Sequence, residues 1–210
     1  MTRALSTPPV IPHGSLGGSP QPERGTPGGL EIRPWEDGDA PDFLAAYRDD
    51  EIRRWHTRRP STETQVHGWF AACRRDWQRE KGAHWAVARG GGSVLGRIAL
   101  RGFDFDDGVA DVAYWVVPGA RGTGVASGAL TVLTTWALRE IGFHRLELDH
   151  STRNAASCGV VTKCGYLLEG TKRSAAVHDG GRHDMHLHAR VRDEGPVRSV
   201  MEGSLAGRTA

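Results

Sequence analysis

Apolar positions change their spacing along this chain, and each change marks an element. Leu30-Glu31-Ile32-Arg33 alternates apolar and polar residues, as a strand with one buried face does, and Pro34 ends the run. Asp39 is placed to cap a helix through Tyr47, with Phe43, Leu44 and Tyr47 at helical spacing. From Thr62 onward Val66, Trp69, Phe70, Cys73 and Trp77 recur every three or four residues, which predicts a second helix with an aromatic stripe turned to the core. Three strands are then expected, at His84–Arg89, Val94–Phe103 and Val109–Val117. The gaps between them, Gly90-Gly91-Gly92 and the acidic run Asp104 to Gly108, are short enough for hairpins.

Past Val117 the pattern changes. Pro118-Gly119 breaks the strand, a glycine-rich loop follows, and a helix is expected from about Gly122 to Ile141. Val125, Ala129, Val132, Leu133, Trp136 and Ile141 line one face of it, and Gly142 suits its end. Arg145 to Asp149 reads as a strand and Asn154 to Lys163 as a helix that Gly165 stops. Further strands are expected from Tyr166 and over His183–Val191. An antiparallel half followed by strand–helix–strand–helix–strand predicts a mixed α/β sheet flanked by helices.

Composition sets the borders. Residues 1–29 are dense in Pro, Gly and Ser and hold few large apolar groups, so they are expected to form a mobile tail. The polar stretch from about Glu194 to Ala210 is expected to fray, leaving a domain over residues 30–193. With 27 basic and 25 acidic side chains the formal charge is only +2, which argues against a nucleic-acid binder. No stretch is long and apolar enough for a membrane span, and no secretory signal is evident, so the cytoplasm is expected. Cys73, Cys158 and Cys164 form no CxxC pair and read as free thiols.

The informative segment is Tyr114 to Ala126. A strand enters a loop with three glycines, and the loop opens a helix. Glycines let main chain approach a ligand, and the helix start presents unpaired N–H groups with the positive end of its dipole. Such a loop suits a pyrophosphate, with Arg121 adding charge at its rim. Val125 after Gly124 excludes a nucleotide-triphosphatase loop, which needs Lys followed by Ser or Thr there. Gly122, Gly124 and Gly128 are spaced one residue too long for a dinucleotide fingerprint, although Glu147 or Asp149 could serve as its ribose acid.

Arg121-Gly122-Thr123-Gly124-Val125-Ala126 resembles the (Arg/Gln)-x-x-Gly-x-(Gly/Ala) motif of GNAT acetyltransferases. Asn154-Ala155-Ala156-Ser157 and Lys163-Cys164-Gly165-Tyr166…Glu169-Gly170 resemble the signature of the RimJ/RimL-like branch. Asp179 to Asp184 with Leu187 and Arg190 is similar to that branch's closing hairpin. The resemblance implies an N-acetyltransferase that uses acetyl-CoA as co-substrate and needs no metal. It implies pantetheine contacts at Val116, Val117 and Asn154, and pyrophosphate contacts from Arg121, Gly122, Thr123, Gly124, Val125 and Ala126. It also implies a place for Ser157 near the thioester sulfur. A homodimer is common among relatives.

Many members carry a tyrosine proton donor four residues after the position of Ser157. Here that residue is Val161, so Ser157 becomes the expected donor to the thiolate, with Tyr166 as the alternative. Asp111 is the expected base for the acceptor amine, with His84 and His150 behind it. Among His178, His183, His186 and His188, the pair His186 and His188 shares a strand face, but no closed ligand set is visible, so a metal is not expected. Two other readings stay open: an acyl-CoA-binding sensor without catalysis, and a nucleotide-dependent oxidoreductase. The acceptor amine, whether small molecule or protein N-terminus, is not encoded in any motif.

Overall fold

A computed structural model describes residues 7–26 and 28–192. Eight strands form one sheet: β1 Arg24–Gly25, β2 Leu30–Pro34, β3 Gly82–Arg89, β4 Gly96–Asp104, β5 Val109–Val116, β6 Arg145–Ser151, β7 Leu167–His178 and β8 Gly181–Val191. Their spatial order is β1-β2-β3-β4-β5-β6-β8-β7. β5 and β6 pair in parallel, and every other neighbouring pair is antiparallel. The mixed α/β architecture thus follows the pattern read along the chain.

Helices cover both faces. α1 (Ala40–Ala46), α2 (Asp50–Trp55) and α3 (Glu63–Gln78) lie on one face, where Trp35, Phe43, Phe70 and Trp115 form an aromatic core. α4 (Val125–Thr135) and α5 (Ala155–Lys163) lie on the other, where Leu130, Leu133, Trp136, Leu146 and Tyr166 form a second core. Thr62 caps α3 by accepting from the Gln65 amide. Asp39 precedes α1 but does not cap it; its carboxylate instead takes two hydrogen bonds from Arg33, at 2.7 and 2.8 Å. α2 has no counterpart in the sequence pattern, because six residues with only Ile52 buried leave no periodicity. The helix expected to reach Ile141 does so, but Trp136–Ile141 are wound as a π-helix, and Gly142 ends it at φ +100°.

The N-terminal segment corrects an expectation. Residues 7–26, expected to belong to a mobile tail, lie as a strap against the domain. Ile11 and Leu16 are buried, and the amide of Ile11 donates to the Phe105 carbonyl. Glu80 accepts the amides of Gly14, Leu16 and Gly17 at 2.6, 2.6 and 3.1 Å. The indoles of Trp77 and Trp85 donate to the carbonyls of Ser19 and Pro22, each at 2.7 Å. Few apolar groups are needed because main-chain polar groups satisfy buried donors on the domain. The stretch from Glu194 lies outside the described residues.

Candidate active site

β5 and β6 stay paired only over Val109–Asp111 and Arg145–Glu147, and then separate. The sheet therefore opens along its middle. A cavity of about 980 Å³ passes through this opening, from the N-terminus of α4 to the helices on the opposite face. Strand alternation decides which edge of β5 meets it. The Val117 amide donates to the Leu95 carbonyl, toward β4. Val116 and Tyr114 therefore turn their main-chain groups the other way, into the opening. Val116 lines the cavity and Val117 does not.

The glycine loop builds the next wall. Pro118–Ala120 form a 3-10 turn, and Gly122 and Gly124 hold φ of +74° and +86°, conformations that disfavour a Cβ. Gly124 occupies the N-cap position of α4 with no side-chain cap. The first bond into the helix is Gly128 N–H to Gly124 C=O, at 2.8 Å. The amides of Val125, Ala126 and Ser127 are thus left without helical acceptors at the positive end of the dipole. Gly122, Gly124, Val125 and Ala126 line the cavity. Thr123 does not; its hydroxyl donates to the Ala120 carbonyl at 2.8 Å and pins the turn.

Arg121 is less free than a rim charge. Its guanidinium is ion-paired with Asp49 and donates to the Val116 carbonyl at 3.3 Å. Burial alone would raise the Asp49 carboxyl, but Arg121 and the Ile52 amide outweigh it and hold the group below its ordinary range. A cavity-lining cation without an ion pair among the described residues is Lys163, which faces this loop from the end of α5.

α5 supplies the opposite wall. Asn154 caps it, its side-chain oxygen accepting from the Ser157 amide at 3.0 Å, so the Asn154 amide NH2 remains as a donor. Ser157 lines the cavity, and its Oγ lies 2.9 Å from the hydroxyl of Tyr114. Burial pushes the Tyr114 phenol up to about 12, which keeps it protonated at neutral pH. Tyr114 is a candidate functional residue that motif reasoning missed. Its signal was present: Val112, Tyr114 and Val116 alternate onto one face of the strand that enters the loop. Val161 is fully buried in the core, and the Tyr166 hydroxyl is engaged with Thr134 at 2.7 Å away from the cavity.

The expected bases fare differently. Asp111 does not line the cavity. Partial desolvation, with Glu147 and Asp149 nearby, lifts its carboxyl above the usual value against the pull of Arg101. His84 is buried beneath Trp69 and is pushed down to about 3 by burial and by Arg97. Arg97 can only donate, so its 2.9 Å contact with His84 makes Nδ1 the acceptor. His150 does line the cavity, but its Nδ1 faces the Ser151 carbonyl at 2.9 Å.

A sequence profile described as an acetyltransferase (GNAT) domain matches residues 29–167. The chain belongs to the GNAT acetyltransferase family. It is 27% identical over 122 residues to YdaF of Bacillus subtilis (strain 168), whose name describes a ribosomal N-acetyltransferase; the match covers 57% of this chain and 67% of that one. Among solved structures, this GNAT enzyme resembles Mycobacterium smegmatis RimJ in complex with CoA-disulfide, with TM-score 0.73 and 20% identity over 81% of this chain and 86% of that one. It also resembles RimL, a ribosomal L7/L12 α-N-protein acetyltransferase, in complex with coenzyme A. That TM-score is 0.73 with 18% identity, covering 87% and 98% of the two chains. In this acetyltransferase no helix among the described residues is long and apolar enough to cross a membrane.

Proposed function

We propose that the enzyme transfers the acetyl group of acetyl-CoA to a primary amine by direct attack in a ternary complex. One observation carries this reading: the uncapped amides at the start of α4 and the free edge of β5 converge on a single cavity that crosses the sheet. The amides from Gly122 to Ala126 suit the pyrophosphate, with Lys163 as the neighbouring cation. The β5 edge at Val116 and the Asn154 amide suit the amide-bearing pantetheine arm. When bound there, acetyl-CoA supplies a thioester whose carbonyl carbon accepts the amine.

Tyr114 and Ser157 then form a two-hydroxyl relay. Ser157 gives its proton to the departing thiolate as it takes one from Tyr114, and Tyr114 regains a proton from cavity water, which receives the one lost by the amine. A free-edge amide of β5 polarises the carbonyl. With Asp111 outside the cavity, the amine proton passes to water; an α-amine with a pKa near 8 needs no strong base.

The acceptor half carries its own signature. Arg97 is buried, lies over Trp69 and bonds to His84, yet has no carboxylate partner among the described residues. A buried cation without a counter-charge favours an acceptor that brings one. Together with the relatives named for ribosomal proteins, this supports an acidic protein N-terminus, acetylated in the cytoplasm, as the acceptor class.

Calorimetry with acetyl-CoA, CoA and NADH tests the binding claim, and tight NADH binding would overturn it. A thiol-release assay over acidic, neutral and basic N-terminal peptides and small amines tests the chemistry. Tight acetyl-CoA binding with no amine raising CoA release would establish the sensor reading instead.

A further inference from the structure

We propose that His150, Cys158, His186 and His188 form a closed binding site for a divalent late-transition ion, zinc foremost, beneath α5. The argument starts from strand register. His150 of β6 stands opposite His186 of β8, and His188 stands opposite Leu148, so the three imidazoles project from one face of the sheet. α5 packs over β6, and Cys158 in its first turns points a thiol at the same place. The four donor atoms all lie within 4.8 Å of one another. The imidazole centroids are 5.0, 5.4 and 6.1 Å apart.

A tetrahedral zinc with Zn–N near 2.0–2.1 Å and Zn–S near 2.3 Å sets its donors roughly 3.3–3.7 Å apart. Each donor would move inward by less than about 1 Å to reach that geometry.

A second, independent observation points to a ligand. His150 is 6% exposed and His188 only 2%. Nε2 of His150, Nδ1 of His186 and both nitrogens of His188 are buried without a hydrogen-bond partner. A neutral imidazole always carries one donor and one acceptor nitrogen, so this stack of three leaves buried nitrogens without a protein partner. An ion on the lone pairs removes that strain.

The surroundings suit it. His150 presents Nδ1 to the Ser151 carbonyl at 2.9 Å, which leaves Nε2 as the unprotonated nitrogen facing the cluster. The Tyr166 main chain lies close to His188, though not within normal hydrogen-bond geometry. Three imidazoles and one thiolate are a borderline-soft donor set. Of the four, His150 alone lines the cavity, so the site adjoins the acetyl-CoA cavity through that residue and extends away from it beneath α5. Its position next to Ser157 makes it a brace for the turn from Asn154 to Ser157.

Cobalt(II) is the probe. The tag-free full chain is stripped with chelator, reduced with a phosphine and titrated with cobalt. The expected result is one ion per chain, intense visible bands of tetrahedral cobalt, a near-ultraviolet thiolate-to-cobalt band, and displacement by zinc. Cys158→Ser should abolish the near-ultraviolet band and weaken binding at least tenfold. His186→Gln should weaken it similarly, with circular dichroism showing both variants folded. Cys164→Ser and His183→Gln should leave the spectrum unchanged. Absence of stoichiometric binding, weak octahedral bands, or a thiolate band that survives Cys158→Ser would each overturn the proposal.

Discussion

Replacing Gly124 separates charge from backbone strain in the proposed phosphate cradle. Gly124 sits at φ +86°, with no atom within 4 Å of where a Cβ would stand. Any side chain there costs about 1–2 kcal/mol of left-handed strain. For a domain of this size that lowers Tm by roughly 2–8 °C. The strain is present with and without ligand, so it cancels from the binding constant. Charge does not cancel. A carboxylate about 5 Å from a phosphate charge, at an effective dielectric near 20, is repelled by about 3 kcal/mol. At about 1.4 kcal/mol per tenfold, that weakens CoA binding by roughly 100-fold. Gly124→Asn has the same shape without the charge and tolerates this backbone better than most residues. Calorimetric titration of CoA should therefore rank wild type and Gly124→Asn close together, with Gly124→Asp about 100-fold weaker. The gap should narrow at high salt. Equal affinities for Gly124→Asp and Gly124→Asn would refute the cradle.

Other outcomes follow from the same geometry. Tyr114→Phe and Ser157→Ala should each lower kcat by about 10–100-fold, at or below the usual range for general acid catalysis because a thiolate is a tolerable leaving group. The KM for acetyl-CoA should change little, and the double variant should be no worse than the poorer single one; wild-type turnover in Tyr114→Phe would remove the relay. Asp111→Asn should change kcat/KM by less than about twofold, whereas a loss of order 10² would restore Asp111 as a base. The strap should release in acid. Burial alone would raise the Glu80 carboxyl, but the amides of Leu16, Gly14 and Gly17 outweigh it and depress the native pKa. Its contribution is complete above the unfolded value, about 4.3, and is lost as pH falls through the lower native one. Hydrogen exchange at those three amides should show protection at neutral pH that disappears in acid. Glu80→Gln should lose about 1–2 kcal/mol of that protection at pH 7, discounted because the carboxylate is partly in water; unchanged protection would detach Glu80 from the strap.

Local patterns made much of this protein legible in its chain. Alternation at Leu30–Arg33, the stripe from Val66 to Trp77, and the Gly122–Gly124 loop are properties of neighbouring residues, and periodicity reports them directly. Residues 8–26 failed that reading because their anchors are Glu80, Trp77 and Trp85, some sixty residues away. Composition counts apolar surface and cannot count a carbonyl that meets a distant indole.

The split between the two sources runs along sequence distance. The chain by itself determined the order of the strands from β2 onward and of every helix but α2, the glycine loop at Gly122–Gly124, and the turn that presents Asn154 and Ser157. Tertiary structure decided which charges and hydroxyls meet. It gave Arg121 to Asp49, brought Tyr114 to Ser157, left Asp111 outside the cavity, and gathered His150 and Cys158 with His186 and His188. The physical reason is that backbone conformation is a local preference, whereas a side-chain partner is fixed by strand register and by where a helix lands on the sheet.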